Sequence, residues 1–220
     1  MITRIKRWRV RSALAVLLTA AALVTASGAP AQGVPDDGTS SVRGFLAQYG
    51  ADEATQDRLL AEYRAGRVWD SMSSSKQPVS TRSFTEADGA YTVGTYADGS
   101  IAVTRAEVPD PNVSDRAKGI SGCGVSGKVY SNCKIDMWVG LVQMAFRASY
   151  NLGTNQVTNA YGAEYTILTA CGASPSLNRP AANIARLNVA AQMCALPYAT
   201  VFWLQLTVSG GSARVSWNDN

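Results

Sequence analysis

Four stretches in the second half of the chain alternate apolar and polar residues with period two, and this pattern restricts the fold more than any other feature. Val142, Met144, Phe146, Ala148 and Tyr150 are separated by Gln143, Ala145, Arg147 and Ser149. Leu187, Val189, Ala191 and Met193 interleave with Arg186, Asn188, Ala190 and Gln192, and Phe202, Leu204, Leu206 and Val208 with Val201, Trp203, Gln205 and Thr207. After Gly210-Gly211, Ala213, Val215 and Trp217 alternate with Ser212, Arg214 and Ser216. Successive side chains of a strand point to opposite faces, so each run has one face to bury and one to solvate. Strands of a parallel α/β core would be apolar on both faces, so the expected sheets are antiparallel. The fold class is therefore mainly β: a small antiparallel β-sandwich or flattened barrel.

The first half reads differently. Residues 32–41 are short, polar and rich in breakers, as in a disordered tether. Val42, Phe45, Leu46 and Tyr49 then recur at helical spacing before Gly50. Asp52 is placed to cap a second helix carrying Leu59, Leu60 and Tyr63, which Gly66 ends. From Ala90 to Glu107 the period returns to two, with Asp98-Gly99 between Tyr91, Val93, Thr95 and Ile101, Val103, a strong hairpin signal. Pro109 to Lys118 is polar and Pro-broken, so the expected organisation is a helical segment plus β-hairpin over 42–117 and a disulfide-bonded β domain over 118–220.

Residues 1–31 carry five basic and no acidic side chains, an apolar run from Ala13 to Val24, and Ala29-Pro30-Ala31. That order predicts a secretory signal peptide cleaved near Ala31. As a helix the apolar run would span about 18 Å, short of the ~30 Å hydrocarbon core, so no stable membrane anchor is expected. The formal charge of +4 then largely measures the leader. Residues 32–117 hold 8 basic and 13 acidic side chains, and residues 118–220 hold 7 and 3. No nucleic-acid partner follows from such a balance, and the two halves have the charges to dock on each other. In the oxidising compartment that export implies, Cys123, Cys133, Cys171 and Cys194 read as two disulfides. Pairing Cys123 with Cys133 and Cys171 with Cys194 closes the smaller loops.

The chain contains no histidine, which excludes a Ser-His-Asp triad, a Cys-His dyad and any His-ligated metal. No cofactor or metal site is expected. Gly122 to Gly127 spells G-x-G-x-x-G, but no helix-forming sequence follows to receive a pyrophosphate, so the glycines read as tight-turn residues beside a cysteine. Ser73 and Lys76 have S-x-x-K spacing without the partner elements of penicillin-recognising enzymes. Asp110, Asn112 and Ser114 resemble the first three ligands of a calcium loop, but Asp115 stands where its glycine is needed and Ser121 where its final glutamate belongs; a calcium loop of another kind would use Glu107, Asp110 and Asp115. Asn112-Val113-Ser114 is a glycosylation sequon.

Two functional readings remain. The polar strand faces carry Arg147, Arg186 and Arg214, with Trp203 among Gln205 and Thr207. An exposed tryptophan can stack on a sugar ring and arginines can bind phosphate or carboxylate, which suits a non-enzymatic module that binds a cell-wall glycan or another extracellular protein. The alternative is a small secreted hydrolase acting on glycans through two carboxylates. Asp136, Glu164 and Asp219 are the acidic residues of the β-rich part, and Asp136 with Glu164 is the pair to test.

Leu59-Leu60, Gly66-Arg67-Val68-Trp69-Asp70-Ser71, Pro78-Val79-Ser80-Thr81 and Tyr96-Ala97-Asp98-Gly99-Ser100-Ile101, followed by a Cys-containing β region, resemble a group of secreted actinobacterial proteins with no assigned function. The Ala-rich leader and low lysine content fit a high-GC source. The resemblance implies location and modular layout, and brings no catalytic motif.

Overall fold

Each of the four alternating runs forms a strand, and the faces fall as the pattern requires. In a computed structural model, residues 38–109, 122–168, 170–194 and 198–218 are described. They belong to one compact unit. The expected signal segment, most of the tether, the calcium-like loop at Asp110 and Asp115, the sequon and Asp219 lie outside them. Chain order is α1 (Thr39–Gln48), α2 (Glu53–Arg64), a 3-10 turn at Asp70–Met72, β1 (Ser80–Glu86), β2 (Gly89–Thr95), β3 (Ile101–Glu107), β4 (Gly124–Ser126), β5 (Val129–Trp138), β6 (Val142–Asn151), β7 (Gln156–Ile167), β8 (Ala170–Ala181), β9 (Ile184–Met193), β10 (Tyr198–Ser209) and β11 (Ser212–Trp217). Helix α1 starts at Thr39, so the last residues of the expected tether are helical.

The strands make two antiparallel sheets. Sheet A runs β1-β2-β3-β5-β6-β7, with β4 paired to β5, and sheet B runs β11-β10-β9-β8. Neither closes into a barrel. Their facing sides bury Met144, Phe146 and Ala148 of sheet A against Leu187, Val189, Phe202, Leu204 and Leu206 of sheet B, which makes a sandwich. Strand β3 pairs with β5. The hairpin of the first half and the strands of the second therefore share one sheet across the expected boundary.

Strand β3 explains where the helices sit. Ile101, Ala102, Val103 and Thr104 are all buried, which an antiparallel strand shows only when both of its faces are covered. Sheet B covers one face. Helices α1 and α2 cover the other, where Val42, Leu46, Leu59 and Leu60 share a cluster with Val93, Ile101 and Val103. Asp52 caps α2 by accepting from the Thr55 N–H at 2.8 Å, as expected. Trp69 is buried between α2 and the sheet and donates its indole N–H to the Leu59 carbonyl at 2.8 Å. The β5–β6 turn comes so close beneath it that a Cβ on Gly140 would stand 3.0 Å from the Trp69 ring.

The disulfides are Cys123–Cys133 and Cys171–Cys194, the pairing that the short loops favour. The first ties β4 to β5 and the second ties β8 to the end of β9. Gly127 turns β4 into β5 with φ +57, so the G-x-G-x-x-G stretch serves a turn beside a disulfide and leads into a strand. Ser73 and Lys76 lie on the surface, where Ser73 bonds Ser75 and Lys76 approaches Asp70 at 3.9 Å.

Candidate binding face

The outer side of sheet B is built from the polar half of each alternation. Cross-strand register places Ser174, Ser176 and Asn178 of β8 beside Ala190, Asn188 and Arg186 of β9. These in turn stand beside Val201, Trp203 and Gln205 of β10. Gln205 and Thr207 face Ser216 and Arg214 of β11. Arg186, Trp203, Gln205, Thr207, Ser209, Arg214 and Ser216 line an open trough of about 580 Å³.

Arg186 is held from two sides. Its Nε donates to Gln205 Oε1 at 2.7 Å, and its guanidinium carbon lies 4.8 Å from the centre of the Trp203 ring. A cation over an indole face is attracted by the ring quadrupole, by about 0.5–1 kcal/mol at exposed sites. Gln205 is fixed in turn by donating to Thr207 Oγ1 at 2.9 Å. Buried Asn218 pins the strand behind the ring: its Oδ1 accepts from the Trp203 N–H at 2.9 Å, and its own N–H donates to the Trp203 carbonyl at 3.2 Å. The half-buried indole thus serves as a platform for Arg186.

Three of the four expected binding residues come together here, and the fourth does not. Arg147 belongs to β6 of sheet A, where its Nη1 donates to the Asn132 carbonyl at 2.9 Å and stands 3.6 Å from Glu107. Its strand has the same alternation as those of sheet B, and alternation carries no information about which sheet a strand joins. The contribution of β8 went unread because Pro175, Pro180 and small residues hide its period. A usable signal existed in the charges: positions 165–218 contain no Asp, Glu or Lys and three arginines. Sheet B is acid-free among the described residues.

In sheet A, Arg105 is paired with two carboxylates. Arg105 Nε and Nη2 grip Asp136 at 3.0 and 2.6 Å, and Nη1 pairs with Asp88. The same guanidinium lies over the rings of Tyr91 and Trp138 at 5.8 and 5.3 Å. Burial raises the Asp136 carboxyl above its ordinary value, and the hydrogen bonds and charge of Arg105 oppose that shift. Lys134 holds Glu164 at 3.1 Å. Asp136 and Glu164 both stand opposite Ala145, on either side of β6, so about 10 Å separates their Cα atoms. Asp136 is 1% exposed and Glu164 is 62% exposed. Asp136 is thus buried against Arg105, whereas Glu164 is exposed beside Lys134.

Among the described residues no group of acidic residues and cysteines is arranged to hold a metal. No helix among them is long and apolar enough to cross a membrane. No protein-family model, curated protein or solved structure matches this chain.

Proposed function

We propose that the protein is an extracellular, non-enzymatic binding module that holds a cell-surface glycan on the outer face of sheet B. The observation that carries this reading is an acid-free sheet on which Arg186 is fixed over Trp203 beside a row of hydroxyl and amide side chains. Such a surface combines a pre-set cation with many short hydrogen-bonding groups, which suits a hydroxyl-rich chain and no reaction in particular. Two disulfides fit an oxidising compartment, and the leader-like residues 1–31 agree with export. Nothing in the placement of Asp136 and Glu164 favours the hydrolase alternative.

The test is co-sedimentation of the protein with purified cell wall. Trp203→Ala removes the platform under Arg186 from a solvent-facing position and is expected to reduce retention at least severalfold while the circular dichroism spectrum is preserved. Undiminished retention of the folded variant would remove this face from consideration.

A further inference from the structure

We propose that β1 is a self-pairing edge: two copies of this chain join antiparallel about Phe84 and extend sheet A into one continuous sheet across a two-fold axis. Three observations support it. The first is an open edge. Among the described residues β1 pairs with β2 alone, and its residues are exposed save the half-buried Phe84. An edge strand presents a row of unpaired N–H and C=O groups that another strand can take up, and proteins guard such edges with proline, lysine or bulges. Ser80–Glu86 contains no proline or lysine, and its register with β2 runs without a shift.

The second is which backbone groups face outward. Glu86 and Gly89 flank a two-residue turn, so they exchange backbone hydrogen bonds as a pair. Such pairs recur at every second residue, so Ser80, Arg82, Phe84 and Glu86 bond β2, and the N–H and C=O of Thr81, Ser83 and Thr85 point away from it. Antiparallel pairing about Phe84 sets Ser83 opposite Thr85 of a second copy, and Thr85 opposite its Ser83, which matches outward groups with outward groups.

The third is side-chain complementarity. Arg82 and Glu86 project on the face that carries Phe84, and four residues of strand put them about 13 Å apart, too far to meet each other. Neither has an ion-pair partner among the described residues. About Phe84, Arg82 of each copy stands opposite Glu86 of the other, at the closer Cα separation of a non-hydrogen-bonded pair. Phe84 meets its own counterpart. It already stacks on Tyr91 with ring centres 5.2 Å apart, so the paired strands bring four rings into one row. Registers centred on Ser83 or Thr85 leave Glu86 opposite Ser80 or Phe84, without a cation. The charges therefore select one register and one partner, a second copy of the same strand.

The experiment is sedimentation velocity on the protein expressed from its whole sequence, over about 1 to 500 μM, because a seven-residue strand buries less than a tight dimer needs. Wild type is expected to pass from monomer to dimer within that range. Across a two-fold axis, Arg82→Glu or Glu86→Arg alone turns both ion pairs into like-charge contacts, and each should weaken self-association about tenfold or more. An equimolar mixture of the two variants regains opposite charges at both contacts and should dimerise as well as wild type, as should a chain carrying both changes. Ser83→Pro removes an outward N–H and no bond to β2, so it should keep the wild-type melting temperature and stay monomeric. The inference is overturned if wild type stays monomeric throughout, if the mixture and the double variant associate no better than the single variants, or if folded Ser83→Pro associates like wild type.

Discussion

Arg105 and Asp136 show how a buried, fully paired charge can be silent in a sequence. Neither stands in a motif, and Asp136 drew notice only as a candidate acid. In the fold it is the most deeply buried carboxylate of the described residues, gripped at both oxygens by a guanidinium that also reaches Asp88 and two aromatic rings. Removing one member of a buried pair strands the other charge, at a cost of about 3–5 kcal/mol. Asp136→Ala is expected to lose about 3 kcal/mol in urea denaturation, the low end because Asp88 still faces Arg105. The double change Arg105→Met with Asp136→Leu should lose markedly less, since no charge is then left buried. A double variant as unstable as Asp136→Ala would show that the pair contributes net stability. The same contrast separates the two sets of arginines: Arg105 and Arg147 are matched by carboxylates within sheet A, while Arg186 is matched by an amide and a ring.

At the level of elements, turns gather the residues that permit close packing. Gly210 and Gly211, at φ +57 and +74, make the two-residue turn that sets the β10–β11 register and so brings Arg214 beside Thr207. Gly140, at φ +77, lets the β5–β6 turn pass beneath Trp69 and Val42. Gly140→Ala meets both a left-handed backbone, worth about 1–2 kcal/mol, and a contact of 3.0 Å with a buried ring. A fall in melting temperature of several degrees is expected, and a variant as stable as wild type would mean that the turn does not carry the packing described. Legibility tracked how strictly local the governing physics was. Strands β6, β9, β10 and β11, helix α2 with its cap, and the Asp98-Gly99 hairpin were readable because period, cap and turn residue lie within a few positions of each other. Strands β1, β7 and β8 were not. Both faces of each are largely exposed, so no alternation is imposed on them.

Three layers make up the described unit: helices, sheet A and sheet B. The packing of the helices on sheet A partly buries Tyr49 and Tyr91, and Tyr150 is buried on β6 of sheet A. Burial raises the Tyr150 phenol above its ordinary value, with Tyr130 and Glu107 adding to it. Burial also raises Tyr49, with Glu86 adding, and Tyr91, whose hydrogen bond to Asp88 adds. In the unfolded chain these phenols ionise near pH 10, so above that value the unfolded form releases protons the folded form keeps. Stability should hold up to about pH 10 and fall as the pH rises further. Thermal melts at pH 8 and 11 check this, and Tyr150→Phe should flatten the decline. An equally steep decline in that variant would mean that Tyr150 has no part in it. The charge split between the halves also resolves at this scale. Glu107 of the first half meets Arg147 of the second, and Arg105 of the first meets Asp136 of the second, both within sheet A. The helices lie on sheet A, and among the described residues nothing covers the trough on the outer face of sheet B.

By itself the sequence determined what depends on neighbours along the chain: the antiparallel β class, which face of each regular strand is apolar, and the cysteines closest in sequence as partners. It also excluded histidine chemistry outright. Only the tertiary structure decided which strands share a sheet, and with that, that Arg147 stands apart from Arg186, Trp203 and Arg214 and that Asp136 is locked by Arg105. Strand order is set by contacts between residues far apart in the chain, and period-two alternation is identical for a strand in either sheet.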